Sequence, residues 1–401
     1  MSLQVLYITV QFPVPSETFA AVEVRALRTL GVDLSIATLK AKPEDAEQLN
    51  RERGLQDLKV DYASLGSLLQ GLWLFFRHPK LSFLLLRTIF SSCGNNPVDL
   101  AKSLWLIPRS LQLFKKIERD SPDIVHLYWG HYTSLTGLLV HRYLPGVSVT
   151  QSFSAYDLHM SYGPSIVLGR ALPLIFTLAE ANVPLLADQG FDPKRISVVF
   201  HGIDTEAADK APVAKHQGRV VLAERLIPEK CTADSLQALK RVYQAHPDMT
   251  VEILGDGPER ERLEALTAEL GLSDAVRFLG HVSHSQVYRS FSEAQVFLMM
   301  SNLAEERLPN AVKEAMQAQC LCVVSRTIGI EELIDDQKTG FVVEQGDIEL
   351  AARRVSSGLE NRDEWPALRA KAKSHIESNF SSSAAARQRI DAWEKLAANK
   401  P

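Results

Sequence analysis

Two glutamates frame a predicted helix start in the segment SNLAEERLPNAVKEAMQAQ (301–319), and seven residues separate Glu306 from Glu314. Pro309 suits the first turn of this helix, so the N–H groups that follow it should be free and should carry the positive end of the helix dipole. These groups belong to Asn310, Ala311 and Val312. Such an end binds phosphate, and carboxylates accept hydrogen bonds from sugar hydroxyls. The segment predicts a phosphate and sugar site, although two surface glutamates at a solvated helix start would give the same pattern.

A regular alternation of strands and helices surrounds this segment. Short β-branched apolar runs recur at 220–223, 251–254, 276–279, 296–300, 322–324 and 341–343, with helical patterns between them. Such alternation predicts βα units and a parallel sheet with helices on both faces. The first half repeats the pattern less cleanly at 5–9, 34–38, 124–127, 147–150 and 196–200, around a mainly helical segment at 60–118. We expect an α/β protein of two Rossmann-like, doubly wound domains facing a central cleft, where ligands bind at the carboxyl ends of the strands.

The chain of 401 residues is long enough for two domains, each with its own core. The segment 204–218 is polar, small and without apolar periodicity, so we predict a linker there. The predicted N-terminal domain is then 1–203 and the C-terminal domain 219–379. An amphipathic helix at 380–401 should pack back toward the N-terminal domain.

Composition limits the classes of function. Apolar residues make up 46% of the chain and charged residues 23%, with a net charge of -4, which suits a soluble globular protein and disfavours bulk nucleic acid as a partner. The four cysteines have no metal spacing and suit a reducing compartment. The start MSLQVLYITV lacks the basic region of a signal peptide and predicts a first core strand. We therefore expect a cytoplasmic protein.

The segment from Glu306 to Glu314 resembles the Glu, seven residues, Glu motif of retaining glycosyltransferases of the GT-B fold, family 4, the glycosyl transferases group 1. The matching positions also include Pro309, Asn310, Ala315 and Met316. Resemblance continues in the family's order from 196–205 to Asp347. The segment QFPVPSETFAAVEVRALRTLG (11–31) is similar to a subgroup of exopolysaccharide and lipopolysaccharide pathways.

The resemblance assigns roles in a donor domain. It implies that Arg225 and Lys230 neutralise the diphosphate that leaves, that Glu306 orients the donor sugar, and that Glu314 binds the ribose. Fixed positive charge stabilises such a leaving group. Taken alone, Arg225 and Lys230 also fit exposed surface cations, and Glu224 departs from the family, where glycine is usual.

Two further segments resemble donor-binding parts of the family. In VEILGDGPERERLEAL (251–266), Gly255 permits a tight turn and close approach of a ligand, or simply joins a strand to a helix. The spacing is not that of a dinucleotide fold, which disfavours NAD. In VRFLGHVSHSQVYRSF (276–291), the resemblance implies that the backbone near His281 and Val282 meets the nucleobase.

The first half offers two candidates of weaker resemblance. Ser16 suits a helix N-cap as well as contact with donor phosphate or acceptor. In QSFSAYDLHM (151–160), Asp157 suits a loop cap as well as a place near the sugar, and Ser154 stands where the family commonly has a histidine. The histidines near enough in sequence to substitute are His126, His131 and His159.

The reaction implied is retaining transfer from a nucleotide diphosphate sugar to a saccharide or lipid-linked saccharide in surface polysaccharide synthesis. The nucleotide sugar is a co-substrate, and we expect no cofactor. The sequence contains no Asp-x-Asp pair, so we also expect no essential metal. The alternatives are a nucleotide-sugar epimerase or hydrolase, and a binding or scaffold protein with an impaired site, to which Ser154 and Glu224 point.

An apolar and basic region at 66–90 could meet the inner face of the cell membrane. Its apolar run is broken at Arg77–Lys80 and Arg87, so it cannot cross a bilayer as one helix. Apolar residues flanked by cations suit a surface of anionic lipid. Two core helices joined at His78 and Pro79 would fit the same sequence.

Overall fold

A computed structural model describes residues 2–15, 17–94, 96–205, 214–360 and 363–398. The described residues form two compact units. The first comprises those of Met1–Gly202 and Ser382–Pro401, and the second those of Ile203–Ser381. Most of the predicted linker, 206–213, lies outside the described residues.

The first unit contains a parallel sheet in the order β3-β2-β1-β4-β5-β6-β7. Its strands are Gln4–Thr9 (β1), Asp33–Thr38 (β2), Val60–Asp61 (β3), Ile124–Leu127 (β4), Ser148–Phe153 (β5), Ile175–Thr177 (β6) and Ile196–Val198 (β7). Every residue of β4 is buried, as expected for a strand covered on both faces. The two strands missing from the sequence prediction are β3 and β6, which are too short to show a period.

The helices of the first unit follow the same βα alternation, apart from three consecutive helices between β3 and β4 and two between β5 and β6. They are Thr18–Thr29 (α1), Ala46–Glu52 (α2), Leu65–Arg77 (α3), Pro79–Ser92 (α4), Pro97–Asp120 (α5), Ser134–Tyr143 (α6), Ala155–Met160 (α7), Gly163–Ala171 (α8) and Asn182–Asp188 (α9).

The second unit contains a parallel sheet in the order β10-β9-β8-β11-β12-β13. Its strands are Arg219–Ala223 (β8), Thr250–Leu254 (β9), Val276–Gly280 (β10), Val296–Met299 (β11), Leu321–Ser325 (β12) and Phe341–Val343 (β13). Its helices are Thr232–Ala245 (α10), Arg260–Glu269 (α11), His284–Glu293 (α12), Asn310–Gln317 (α13), Ile348–Leu359 (α14) and Trp365–Asn379 (α15). The prediction of two Rossmann-like units is confirmed.

Capping residues set the bounds of α3, α4 and α5. Ser64 caps α3 by accepting a hydrogen bond from the N–H of Ser67, at 3.1 Å. Asn96 caps α5 in the same way, and prolines open both α4 and α5. Helices α3 and α5 touch at Gly71, where a Cβ would lie 1.9 Å from the carbonyl oxygen of Pro108. No helix in the described ranges is long and apolar enough to cross a bilayer.

The C-terminal helix Ser382–Ala398 (α16) belongs to the first unit and is fixed there by buried polar contacts. The indole N–H of Trp393 donates to Thr150 Oγ1 at 3.1 Å. Arg389 lies 3.3 Å from Glu23 Oε1 and from His126 Nε2, and its guanidinium lies over the ring of Phe176. Burial lowers the pKa of His126 well below its usual value. His126 is therefore part of the core, which removes it as a substitute for the family's histidine.

Replacing the buried Trp393 tests how much α16 contributes to the first unit. The side chain is fully buried, so Trp393→Ala creates a cavity and removes the indole donor to Thr150 Oγ1, which keeps its contact with His126 Nδ1. We expect the free energy of unfolding to fall by about 3–5 kcal/mol, the usual cost of a buried Trp→Ala change. Thermal and urea unfolding would measure it, with Glu394→Ala on the exposed side of α16 as the matched control. Equal stability of the two variants would contradict the packing described.

Candidate functional site

Two loops at the switch point of the second sheet hold the predicted cation and carboxylate. The strand order reverses between β8 and β11, which pair with each other. Lys230 ends the short 3-10 turn Pro228–Lys230 after β8, and Glu306 lies in the loop after β11. Ligands of open α/β sheets bind at such a point, beyond the carboxyl ends of the strands.

Lys230 and Glu306 form an ion pair through Nζ and Oε1. Each side chain is only 10% exposed, and the second oxygen of Glu306, Oε2, is buried without a hydrogen-bond partner among the described residues. A buried carboxylate with an unused oxygen retains capacity to accept further hydrogen bonds. Arg225, in contrast, is exposed and forms no ion pair within the described ranges. The structure therefore brings Lys230 to Glu306 and leaves Arg225 apart.

Glu224 lies beside this pair and is turned into the protein. Its Oε1 accepts a hydrogen bond from Thr232 Oγ1 at 2.9 Å, while its Oε2 is buried with no partner among the described residues. Burial raises the pKa of Glu224 to about 7, against the opposing effects of Lys230 and Thr232, and the charge of Glu306 raises it further. Glu224 is therefore a second acid, besides Glu306, in the electrostatic field of Lys230.

Helix α13 begins one residue later than predicted. Pro309 has φ -57° and ψ 132°, so it is the N-cap and not the first helical residue. Its carbonyl accepts from the N–H of Val312 at 3.1 Å, so the prediction of a free N–H at Val312 is wrong. The N–H groups of Asn310 and Ala311 have no acceptor in the described part of the chain. Two N–H groups, not three, remain for an anion at this helix end.

Glu314 is held by a different element. Its Oε1 lies 3.0 Å from Nε2 of His284, the first residue of α12, whose ring packs edge-on against Tyr288. The Glu314 side chain is largely buried. Glu306 and Glu314, which look alike in the sequence, therefore have separate partners and environments.

The glycine turn after β9 packs against the Lys230 loop. Gly255 has φ +121°, and a Cβ there would lie 1.9 Å from the carbonyl oxygen of Glu224. A Cβ at Gly257 would lie 2.3 Å from the carbonyl oxygen of Leu226. The sequence allowed either close approach of a ligand or a simple turn from strand to helix. The structure shows the turn, because the chain's own backbone fills the space of the missing side chain. The N–H of Gly255 donates to Gly280, after which come the exposed His281 and the half-buried Val282.

Lys313 is a buried cation that the sequence prediction missed. It lies in α13 next to Glu314, with Nζ 3.1 Å from Asn310 Oδ1 and 5.4 Å from the ring centre of Phe380. Burial lowers its pKa to about 7. Gln317, one turn later on the same helix face, is also buried, but both side chains are polar, so no local pattern marked the burial of Lys313.

In the first unit, Asp157 and Ser154 cap α7 reciprocally. Asp157 Oδ2 accepts from the N–H and the hydroxyl of Ser154, at 2.7 and 2.6 Å, and the N–H of Gly130 also donates to this carboxyl. Burial raises the pKa of Asp157 to about 6. The capping role that the sequence allowed is thus present. Ser16, the other candidate of this unit, lies outside the described residues.

Glu17 was also missed by the sequence prediction. Burial raises its pKa to about 7, and the nearby Asp157 adds to the shift, whereas a hydrogen bond from Trp129 and the charge of Arg53 oppose it. The ring of His201 stacks on Phe19 at 4.5 Å. Glu17 lies in the segment 11–31, and the resemblance of that segment to a subgroup of the family was the available signal. The described residues contain no group of three His, Cys, Asp or Glu side chains placed to hold a metal ion.

Comparison with known proteins agrees with this architecture. Residues 204–375 match the family model described as Glycosyl transferases group 1. The amylovoran biosynthesis glycosyltransferase AmsK of Erwinia amylovora is 26% identical over 98% of this chain and 100% of its own length. The lipopolysaccharide core biosynthesis glycosyltransferase LpsD of Rhizobium meliloti is 34% identical over 37% of this chain and 40% of its own length.

Solved structures share the fold at low sequence identity. HepE of Anabaena, crystallised in complex with UDP, covers 98% of this chain and 100% of its own, with a TM-score of 0.72 and 14% identity. A glycosyltransferase from Rickettsia africae covers 99% of both chains, with a TM-score of 0.74 and 15% identity. The sequence resemblance is thereby confirmed: residues 204–375 match the glycosyl transferases group 1 family, and this chain is a glycosyltransferase with the GT-B fold.

Proposed function

We propose that this chain is a retaining, metal-independent glycosyltransferase of surface polysaccharide synthesis. It moves a sugar from a nucleotide diphosphate donor to a saccharide or lipid-linked saccharide, with peripheral membrane contact through residues 66–90. The main support for a donor-binding site is the buried ion pair of Lys230 and Glu306 at the switch point of the second sheet. AmsK and LpsD, which bear the names of polysaccharide pathways, support the acceptor class.

The positive charge needed for the leaving group is available from the chain itself. Lys230 carries an ammonium, and the N–H groups of Asn310 and Ala311 lie at the positive end of α13. A diphosphate would compete with Glu306 for Lys230, because both are anions of the same hydrogen-bonding type. Once Lys230 binds phosphate, Glu306 is left with both oxygens to orient the sugar.

The transfer needs no strong protein base in a front-face mechanism. The bond between the anomeric carbon and the β-phosphate oxygen breaks, and the acceptor oxygen bonds to that carbon on the same face. The acceptor's proton passes to the departing phosphate oxygen. Glu306 stabilises the positive charge that develops on the sugar, while Lys230 and the helix end stabilise the phosphate.

Binding of a nucleotide is the first expected outcome. One of UDP, GDP, ADP and dTDP should raise the Tm, since a ligand that binds only the native state stabilises it. In Lys230→Ala the affinity for the nucleotide should fall about tenfold to a hundredfold, which corresponds to the loss of one charge-assisted hydrogen bond. Glu314→Ala should also weaken nucleotide binding. Each shift is measured against the same variant without nucleotide. Lys371→Ala, an exposed lysine of α15, is the control. If none of the four nucleotides shifts the Tm, the donor site is placed wrongly.

Charge at position 306 should control turnover. Glu306→Gln keeps the shape but loses the negative charge, so acceptor-dependent transfer should fall about a hundredfold to a thousandfold, as for loss of one transition-state partner. Glu305→Gln is the neighbouring control. The anomeric configuration of the product, measured by NMR, should match that of the donor, and a chelator should leave the rate unchanged. An inverted product, or donor turnover without acceptor, would refute the mechanism.

Donor affinity should depend on pH through Glu224. Its pKa is about 7, and a diphosphate at Lys230 disfavours a second negative charge nearby, so donor binding takes up a proton. Affinity should therefore fall as the pH rises through about 7. A nucleotide sugar is the suitable ligand for calorimetry, because its diphosphate does not change its charge over this pH range. Glu224→Gln should flatten the pH dependence, whereas Glu229→Gln in the same loop should not. An unchanged profile in Glu224→Gln would exclude this linkage.

A further inference from the structure

The segment from Leu65 to Trp105 is basic within an acidic chain. It contains four lysines and arginines and a single acid, Asp99, although the whole chain has a net charge of -4. Asp99 is buried and accepts hydrogen bonds from the Tyr132 hydroxyl at 2.7 Å and from Asn96 Nδ2 at 2.8 Å. The charge presented to solvent by α3, α4 and α5 up to Trp105 is therefore positive only.

The cations of this segment are exposed and free of carboxylate partners. They are Arg77, Lys80, Arg87 and Lys102. None of the four forms an ion pair with any residue in the described ranges. Elsewhere in the first unit, Arg109 and Lys116 of the same helix α5 both pair with Asp61. Unpaired cations next to apolar side chains are available to an external anionic partner.

Large apolar side chains are exposed on all three helices. Helix α3 presents Trp73 at 61% exposure and Phe76 at 75%, on the face opposite the buried Leu74. The same stripe of α3 includes Leu65, Leu69 and Leu72. On α4, Phe83 and Phe90 are two turns apart with Arg87 between them, and on α5, Val98 and Trp105 are two turns apart with Lys102 between them. Residues at this spacing share one face of a helix.

The structure shows which apolar residues of the three helices are exposed to an external partner. Within the apolar run at 66–90, Leu85 is buried, and Phe75, Leu84 and Leu86 are half-buried against the core. Helix α5, which lies beyond residues 66–90, contributes Trp105, 74% exposed. Single exposed apolar residues are ordinary, whereas a group of this size marks an interaction surface.

We propose that the exposed faces of α3, α4 and α5 form a docking surface for an anionic lipid bilayer. Trp73, Phe76 and Trp105 enter the headgroup region, where amphipathic aromatic rings are favoured. The four cations bind lipid phosphates, each adding to the attraction of an anionic leaflet. The proposal deepens the proposed function by naming the lipid partner and by extending the surface to α5, but the docking itself requires neither donor nor turnover.

A second copy of the chain suits this surface less well. In a two-fold symmetric dimer the same patch meets itself, so the four cations of one copy would face those of the other. The patch exposes no acid to pair with them, and like charges across an interface are unfavourable. An anionic bilayer satisfies the cations and the apolar side chains together.

Co-sedimentation with vesicles tests the proposal on the full chain. We expect binding to vesicles of equal parts phosphatidylcholine and phosphatidylglycerol, weak binding to pure phosphatidylcholine, and loss at high salt. Lys80→Glu with Arg87→Glu should weaken binding by about tenfold or more. The matched control is Arg142→Glu with Lys194→Glu, two exposed cations of the same unit. Trp73→Ser with Phe76→Ser tests the apolar part, with the exposed Leu185→Ser as its control.

Tryptophan fluorescence separates insertion from adsorption by charge. The emission should shift to shorter wavelength with anionic vesicles, and less so in Trp105→Phe, because that ring is exposed in the free protein. Absence of vesicle binding at low salt, or equal binding by the charge-reversed and control variants, would overturn the proposal. So would a dimer in sedimentation analysis that Phe76→Ser dissociates. Nucleotide-induced shifts in Tm should persist in the surface variants, so failure here leaves the donor site standing.

Discussion

Two carboxylates share the field of Lys230, and the arrangement of the second unit's site follows from that constraint. Glu306 takes the ion pair, while Glu224 is turned toward Thr232 and has a pKa of about 7. A buried cation paired with one acid and close to a second leaves little room for a third negative charge. Binding of a diphosphate must therefore rearrange the pair, protonate Glu224, or do both.

Backbone contacts with a neighbouring turn fix the conformation of the loop that contains Lys230. The turn after β9 packs backbone to backbone against residues 224–226, and glycines at 255 and 257 are needed because the carbonyls of Glu224 and Leu226 occupy the space of a Cβ. Hydrogen bonds from Glu224 to Leu254 and from Leu226 to Asp256 tie the two loops together. A rigid loop places Lys230 without the entropy cost of ordering a mobile one.

Sequence reasoning succeeded where a pattern is local. Buried strands appear as continuous apolar runs, whereas the roles of Glu306 at the sugar and Glu314 at the ribose stay predictions. Sequence reasoning failed where tertiary contacts determine the structure. Strand β6 is three residues long, so it shows no period. Lys313 was not identified from the sequence, because its burial depends on Phe380, far along the chain. Val312 lost its free N–H because Pro309 stays extended, a backbone choice that the sequence allows but does not require.

The most direct test of the donor site is a crystal structure of the full chain with a bound nucleoside diphosphate. We predict that a phosphate oxygen lies within hydrogen-bond distance of Lys230 Nζ, that the N–H groups of Asn310 and Ala311 face the diphosphate, and that Glu314 meets the ribose. The ion pair of Lys230 with Glu306 should then be broken or shared. A nucleotide bound elsewhere, with this ion pair intact, would contradict the account.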